Sequence, residues 1–228
     1  MIAALSAACA FTGCNNASKQ RTGNTSSETN LPSCQKTSQD KLNVIEIDGT
    51  PYLALNKLLV LPDDAKNVAI PLPVSFLGYY NYGQENPGYQ PADSLISFLK
   101  TLGFEGMEFH MCHTLPFRNK NILPVLLCLS LGDNDYYLLV TVDAERGEII
   151  DHLEVGESND NGRVSFRIDT AFNIERFSAE TVYNETDNTK EEVYKEKLAS
   201  YQIGSDGKIC DKSVSYTHLR AHETLMNL

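Results

Sequence analysis

From Leu42 onward, short runs rich in Val, Ile, Leu, Tyr and Phe alternate with short polar joints. The runs near 104–115, 122–131, 136–143, 148–155, 163–169, 173–185 and 191–203 suit strands. Branched and aromatic side chains fit a pleated, half-buried surface. Turn-forming residues fill the joints at 118–121, 133–134, 145–147, 159–162, 169–170 and 185–190. Regular spacing with short joints predicts consecutive antiparallel pairing. The expected fold is therefore mainly β, an antiparallel meander forming a curved sheet, a sandwich or an open barrel. A further hairpin is expected upstream, with 42–47 against 52–55 around Asp48 and Gly49.

One segment carries a helical period. Leu95, Ile96, Leu99 and Leu102 line one side of a short helix near 92–102, with Asp93 as its cap and Gly103 as its stop. The run 191–203 is rich in helix formers, yet it is predicted as a strand. Val193, Ala199, Tyr201 and Ile203 would share a face, and Val182 and Tyr183 offer a partner arm across a polar tip. The stretch 77–91 mixes tyrosines with Gly, Asn, Gln and Pro and predicts a loop. Tyr79, Tyr80, Tyr82 and Tyr89 are its candidate ligand-binding residues. A tyrosine offers a flat apolar body and a hydrogen-bonding tip, and Asn81, Gln84 and Asn86 add amides suited to hydroxyl-rich or peptide ligands. The alternative is that these rings pack over the end of the sheet.

Pairing of 104–115 with 122–131 gives the most specific expectation. A hairpin centred on Lys120 faces Phe109 with Leu131, Met111 with Leu129, His113 with Leu127, and Leu115 with Val125. On the other face His110 meets Ser130, Cys112 meets Cys128, and Pro116 meets Pro124. Facing prolines suit a non-hydrogen-bonded pair. At such pairs Cα atoms approach to about 4.5 Å, within disulfide reach. A Cys112–Cys128 disulfide is therefore expected, the alternative being two buried free thiols.

Candidate chemistry is otherwise sparse. Glu108, His110 and Cys112 alternate onto one strand face and are all zinc-ligand types. Strand alternation assembles such a trio readily, and an oxidised Cys112 could not ligate, so no metal and no other cofactor are expected. There is no G-x-S-x-G, no H-E-x-x-H and no P-loop. His152 beside Asp151 and Glu154 does not make a triad, and Asp63-Asp64 after Pro62 suits a solvated turn. No catalytic residue is assigned, and the chain is not expected to be an enzyme.

The two ends carry different information. Residues 1–13 are uncharged and apolar, too short to span a bilayer, and end in Ala10-Phe11-Thr12-Gly13 before Cys14. This resembles the lipobox of bacterial lipoproteins, with Phe11 where that family prefers Leu. The resemblance implies a cleaved signal peptide and a lipid anchor on Cys14. The protein would then sit outside the cytoplasm, on the periplasmic or cell-surface side. The pattern Tyr-Leu-Leu-Val-Thr-Val-Asp through Gly-Glu-Ile-Ile-Asp (137–151) is similar to β-rich lipoproteins to which no activity attaches.

Residues 15–40 are rich in Ser, Thr, Asn, Lys and Gln, a tether composition. The domains expected are thus a signal peptide (1–13), a lipidated tether (14–40) and one β-rich domain (41–212). The end, 213–228, resembles a translated sequencing-adapter tail, which discounts His218 and His222 as ligands. Six cysteines are present, and Cys34 and Cys210 remain after the signal peptide, the anchor and the expected bridge. An oxidising compartment permits disulfides.

The net charge is −11. An acidic chain without a basic run argues against nucleic acid and against electrostatic docking on anionic lipid. The expected function is a non-catalytic, membrane-anchored binding module whose partner is a protein, a small molecule or a glycan. A structural or assembly component of the envelope is the alternative, followed by a hydrolase with no legible active site.

Overall fold

The apolar run 122–131 forms a strand whose first eight residues are all buried. Leu123, Val125, Leu127 and Leu129 enter one core, and Leu126 and Cys128 enter another. A strand covered on both faces needs a continuous apolar run rather than an alternating one. That requirement organises the whole molecule into a sheet with a layer on each side.

The computed structural model describes residues 44–47, 49–159, 162–184 and 189–212. The expectations for the signal peptide, Cys14, the tether, Cys34 and the tail 213–228 lie outside these residues. Five strands of two residues come first: β1 (Glu46–Ile47), β2 (Thr50–Pro51), β3 (Leu59–Val60), β4 (Val74–Ser75) and β5 (Gln90–Pro91). Interleaved with them are a 3-10 turn (Leu53–Lys57), helix α1 (Phe76–Glu85) and helix α2 (Asp93–Thr101). The meander follows: β6 (Glu108–Thr114), β7 (Ile122–Leu131), β8 (Asn134–Asp143), β9 (Glu148–Asn159), β10 (Gly162–Ile168), β11 (Asn173–Asn184), β12 (Thr189–Ile203) and β13 (Ile209–Asp211). Each pairs antiparallel with the next, so the molecule is mainly β as its sequence pattern predicts. Among the described residues β6 and β13 do not pair, and the sheet stays open.

The first face of β6–β9 is covered by the N-terminal segment, including Ile45, Leu55, Leu95 and Leu99. The second face is covered by α1 and by the later strands. β9 and β10 pair only at 157–159 with 162–164, then separate. The freed end of β10 takes β4 instead, with Ser75 opposite Arg167 and Val74 opposite Ile168. This separation lets Phe166, Ile168, Ile174 and Ile203 join Phe76 and Tyr79 in the second core.

The outer edge of β6 is also closed. Cys112 N–H donates to the Pro87 carbonyl (2.9 Å), Tyr89 N–H to that of Cys112 (2.8 Å), and Thr114 N–H to that of Val68 (2.9 Å). An edge so covered cannot template pairing with another chain. No helix among the described residues is long and apolar enough to cross a membrane.

Four expectations are corrected. Of the arm 52–55, Tyr52 still donates its N–H to the Ile45 carbonyl at 2.8 Å, but 53–55 turn into the 3-10 element. Asp93 is the first residue of α2 and not its cap, which is Ala92 with no side-chain bond. The stretch 77–91 is mostly helix: the Ser75 hydroxyl accepts the Gly78 N–H at 3.2 Å and caps α1.

The fourth correction is the disulfide. A register shift between Phe109 and Met111 pairs Met111 with Cys128, and Cys112 with Leu127. His110 is the extra residue, a β-bulge, and everything after it changes face. Cys112 therefore joins the first core and Cys128 the second, as free buried thiols. Burial pushes the Cys112 thiol up strongly, and that of Cys128 to about 12.

Candidate functional site

The four candidate tyrosines serve different ends. Tyr79 is fully buried, donates to the Leu126 carbonyl at 2.6 Å and meets His113 Nδ1 at 3.2 Å. Burial, with the nearby Cys112 and Cys128 thiols, raises its pKa well above the ordinary value. Tyr89 is buried in the first core. Tyr82 is half-buried, donates to the Ala69 carbonyl at 3.1 Å and stands edge-on to His113. Tyr80 borders a cavity with Asp135 and Arg163, and Tyr89 borders another with Val68, Thr114 and Phe117. The structure places Tyr79 in the second core, because α1 turns its Phe76, Tyr79 and Gly83 side inward, and Tyr89 in the first. A Cβ on Gly83 would collide with Met111 Sδ, so the glycine admits a close approach.

His113 is completely buried beside these rings. Burial lowers its pKa to about 4, with the Asn86 carbonyl acting in the opposite direction. It is a neutral core imidazole at ordinary pH.

The bulge leaves Glu108 and His110 exposed and sends Cys112 into the core, so the zinc-type trio does not share a face. His110 Nε2 instead lies 2.5 Å from Ser130 Oγ, which donates to Asp135 Oδ1 at 2.5 Å. The serine occupies the middle of this chain. A nucleophilic triad needs the imidazole in the middle, oriented by the carboxylate and receiving the serine proton. Here the carboxylate holds the hydroxyl directly, and the cluster pins three neighbouring strands. His152 is exposed and meets Phe98 edge-on, with ring centroids 5.4 Å apart. Cys210 is exposed and free.

A wider opening than that beside Tyr80 lies elsewhere. Cross-strand partners Ser75, Arg167, Glu175 and Ser200 form a row over β4, β10, β11 and β12. Their sequence neighbours Val74, Ile168, Ile174 and Tyr201 pack into the second core, so alternation turns the row away from it. A groove of ≈ 910 Å³ lies along this row, bordered also by Asp169, Lys197, Leu198 and Lys212.

Lys197 pairs with Glu175 at 2.5 Å. The Arg167 guanidinium lies 5.7 Å from the centre of the Tyr194 ring, which packs on Phe177 at 4.6 Å. The Asp169 carboxylate accepts from Asn173 N, Ala171 N and Asn173 Nδ2. Burial would raise its pKa, but these donors and Lys212 outweigh that and hold it below the ordinary value. The fixed turn holds Phe172 at φ 59°, in the left-handed region.

The groove therefore joins cations, hydroxyls and short apolar segments contributed by four strands. It could hold an extended ligand by backbone-like hydrogen bonds and charge pairs. Its residues lie far apart in sequence and form no motif. The signal available was that Arg167, Glu175 and Lys197 all stand at polar positions of predicted strands. Among the described residues no group of three or more His, Cys, Asp and Glu could hold a metal ion. Comparison with family models, curated proteins and solved structures finds no match for the chain.

Proposed function

We propose that the protein is a non-catalytic binding module held outside the cytoplasm by lipid on Cys14. In this reading the ligand lies in the groove over β4 and β10–β12. The supporting observation is the groove itself, ≈ 910 Å³ with Arg167, Lys197 and Lys212 on its walls. Pockets of such volume with a few convergent polar groups are the usual form of ligand sites. The serine-centred arrangement of His110, Ser130 and Asp135 favours binding over hydrolysis. Metabolic labelling with an alkyne fatty acid tests the anchor. Label that disappears in Cys14→Ser supports it, and an unlabelled cytosolic product overturns it.

A second reading, a docking component of the envelope, is favoured by the far end of the β11–β12 hairpin. Val182, Tyr183 and Val193 are 48%, 52% and 44% exposed there. Val182 and Val193 stand on one face of this arm and Tyr183 on the other, and neighbouring exposed apolar side chains mark protein contact surfaces. Loss of assembly without loss of folding in Val182→Ser/Val193→Ser would favour this reading.

A further inference from the structure

A second cavity, of ≈ 270 Å³, lies between α1 and the strands β8–β12. Tyr80, Asp135, Ser158, Arg163, Thr181 and Lys190 border it. Two opposite charges are built into its walls. The Arg163 guanidinium stacks 4.5 Å from the centre of the Phe76 ring and donates to the Thr181 hydroxyl. Its Nε is buried without a hydrogen-bond partner. Asp135 is half-buried, with one oxygen bound by Ser130. Arg163 and Asp135 share the cavity, yet among the described residues they form no ion pair.

Half-buried charges held apart in one cavity are poorly compensated. The guanidinium keeps donors beyond the one spent on the Thr181 hydroxyl, and such a planar group matches a carboxylate. The nearby Lys190 adds a second positive charge on that side. Asp135, with the Ser158 hydroxyl, offers a complementary place for an ammonium group. A neutral sugar fits less well. It would leave both charges without a counter-charge, and the Phe76 face that could stack on a sugar ring is taken by Arg163.

We propose that this cavity binds a small zwitterion, a free α-amino acid, with its carboxylate on Arg163 and its ammonium on Asp135. Tyr80 borders the space left for a modest side chain. The site is separate from the groove, and its test does not depend on the lipid anchor or on a groove ligand.

The test is calorimetric titration and thermal shift of the full chain. The probes are individual L-amino acids, the same compounds N-acetylated or methyl-esterified, and neutral monosaccharides. Free amino acids are expected to give saturable heat and a raised melting temperature. Either blocking group should weaken binding about tenfold or more, the value of one charge-assisted contact. Asp135→Asn should weaken binding by a similar factor, and Lys190→Ala by less. Arg163 also packs on Phe76, so the blocked ligands on the unaltered protein test its role without risk to folding. Absence of amino-acid binding to the folded protein overturns the proposal. So does equal affinity for blocked and free forms, preference for a sugar, or unchanged affinity in Asp135→Asn.

Discussion

Strands β6–β9 and strands β10–β12 belong to one meander but live in different surroundings. β7 is buried on both faces for eight residues. β12 has one buried residue, Ile203, among those whose side chains are described. Among the described residues six large hydrophobic side chains are exposed, and four of them, Val182, Tyr183, Val193 and Leu198, lie on β11 and β12. The edge of β6 is covered by the segments at 68–70 and 87–89. Among the described residues the outer edge of β12 pairs with β13 at 201–203, and its pairing with β11 carries two register irregularities. Bulges and lysines on an exposed edge discourage unwanted pairing. The contrast separates a scaffold from a surface, within a single run of hairpins.

The largest effect should come from the scaffold. Leu127→Ala is expected to cost about 3–5 kcal/mol, because the removed side chain is fully enclosed and its cavity cannot collapse. Val193→Ala should cost no more than about 0.5 kcal/mol. Urea denaturation of both variants measures the difference, and equal losses would break the comparison.

The next effect is acid sensitivity from His113. Its pKa is about 4 folded, against an ordinary value of 6.5. Below 6.5 the unfolded chain binds a proton that the folded chain refuses. The stabilising contribution is therefore complete above 6.5, falls as pH drops through the interval, and is gone below about 4. The loss is about 3 kcal/mol. Urea midpoints across this range should show it, and His113→Phe should flatten the curve.

Tyr79→Phe deletes the hydroxyl shared by Leu126 and His113. It should cost about 1–3 kcal/mol, since the buried Leu126 carbonyl loses this donor. A melting temperature unchanged from the parent would contradict this. The smallest effect belongs to the surface. Lys195→Ala breaks a half-exposed pair with Glu180 and should change stability by less than about 1 kcal/mol. A larger loss in chemical denaturation would mean that the outer arm is part of the scaffold.

The strand runs and most joints were legible because each strand announces itself by composition and each turn by its residues. The predicted runs 122–131, 163–169 and 173–185 correspond closely to β7, β10 and β11. The helix formers in 191–203 yielded to the partner arm, and β12 is a strand. Helix α1 was hidden because Gly78 and Gly83 read as breakers, whereas Gly83 makes room for Met111.

The register of β6 was hidden for a different reason. The alternation of Met111, His113 and Leu115 is intact, and only the bulge at His110 decides which face it meets. A single extra residue leaves no compositional trace yet moves Cys112 away from Cys128. The groove was illegible because Ser75, Arg167, Glu175 and Ser200 come together only after β9 and β10 part.

Leu198 and Leu53 give the most direct test of the division of labour. Both are exposed, at 47% and 63%, but only Leu198 borders the groove. A photo-crosslinking residue placed at each position in cells compares the two surfaces with similar starting side chains. The account predicts a discrete adduct from position 198 that Arg167→Ala/Lys212→Ala diminishes, and none from position 53. An adduct from position 53 alone, or one at 198 indifferent to Arg167 and Lys212, would contradict it.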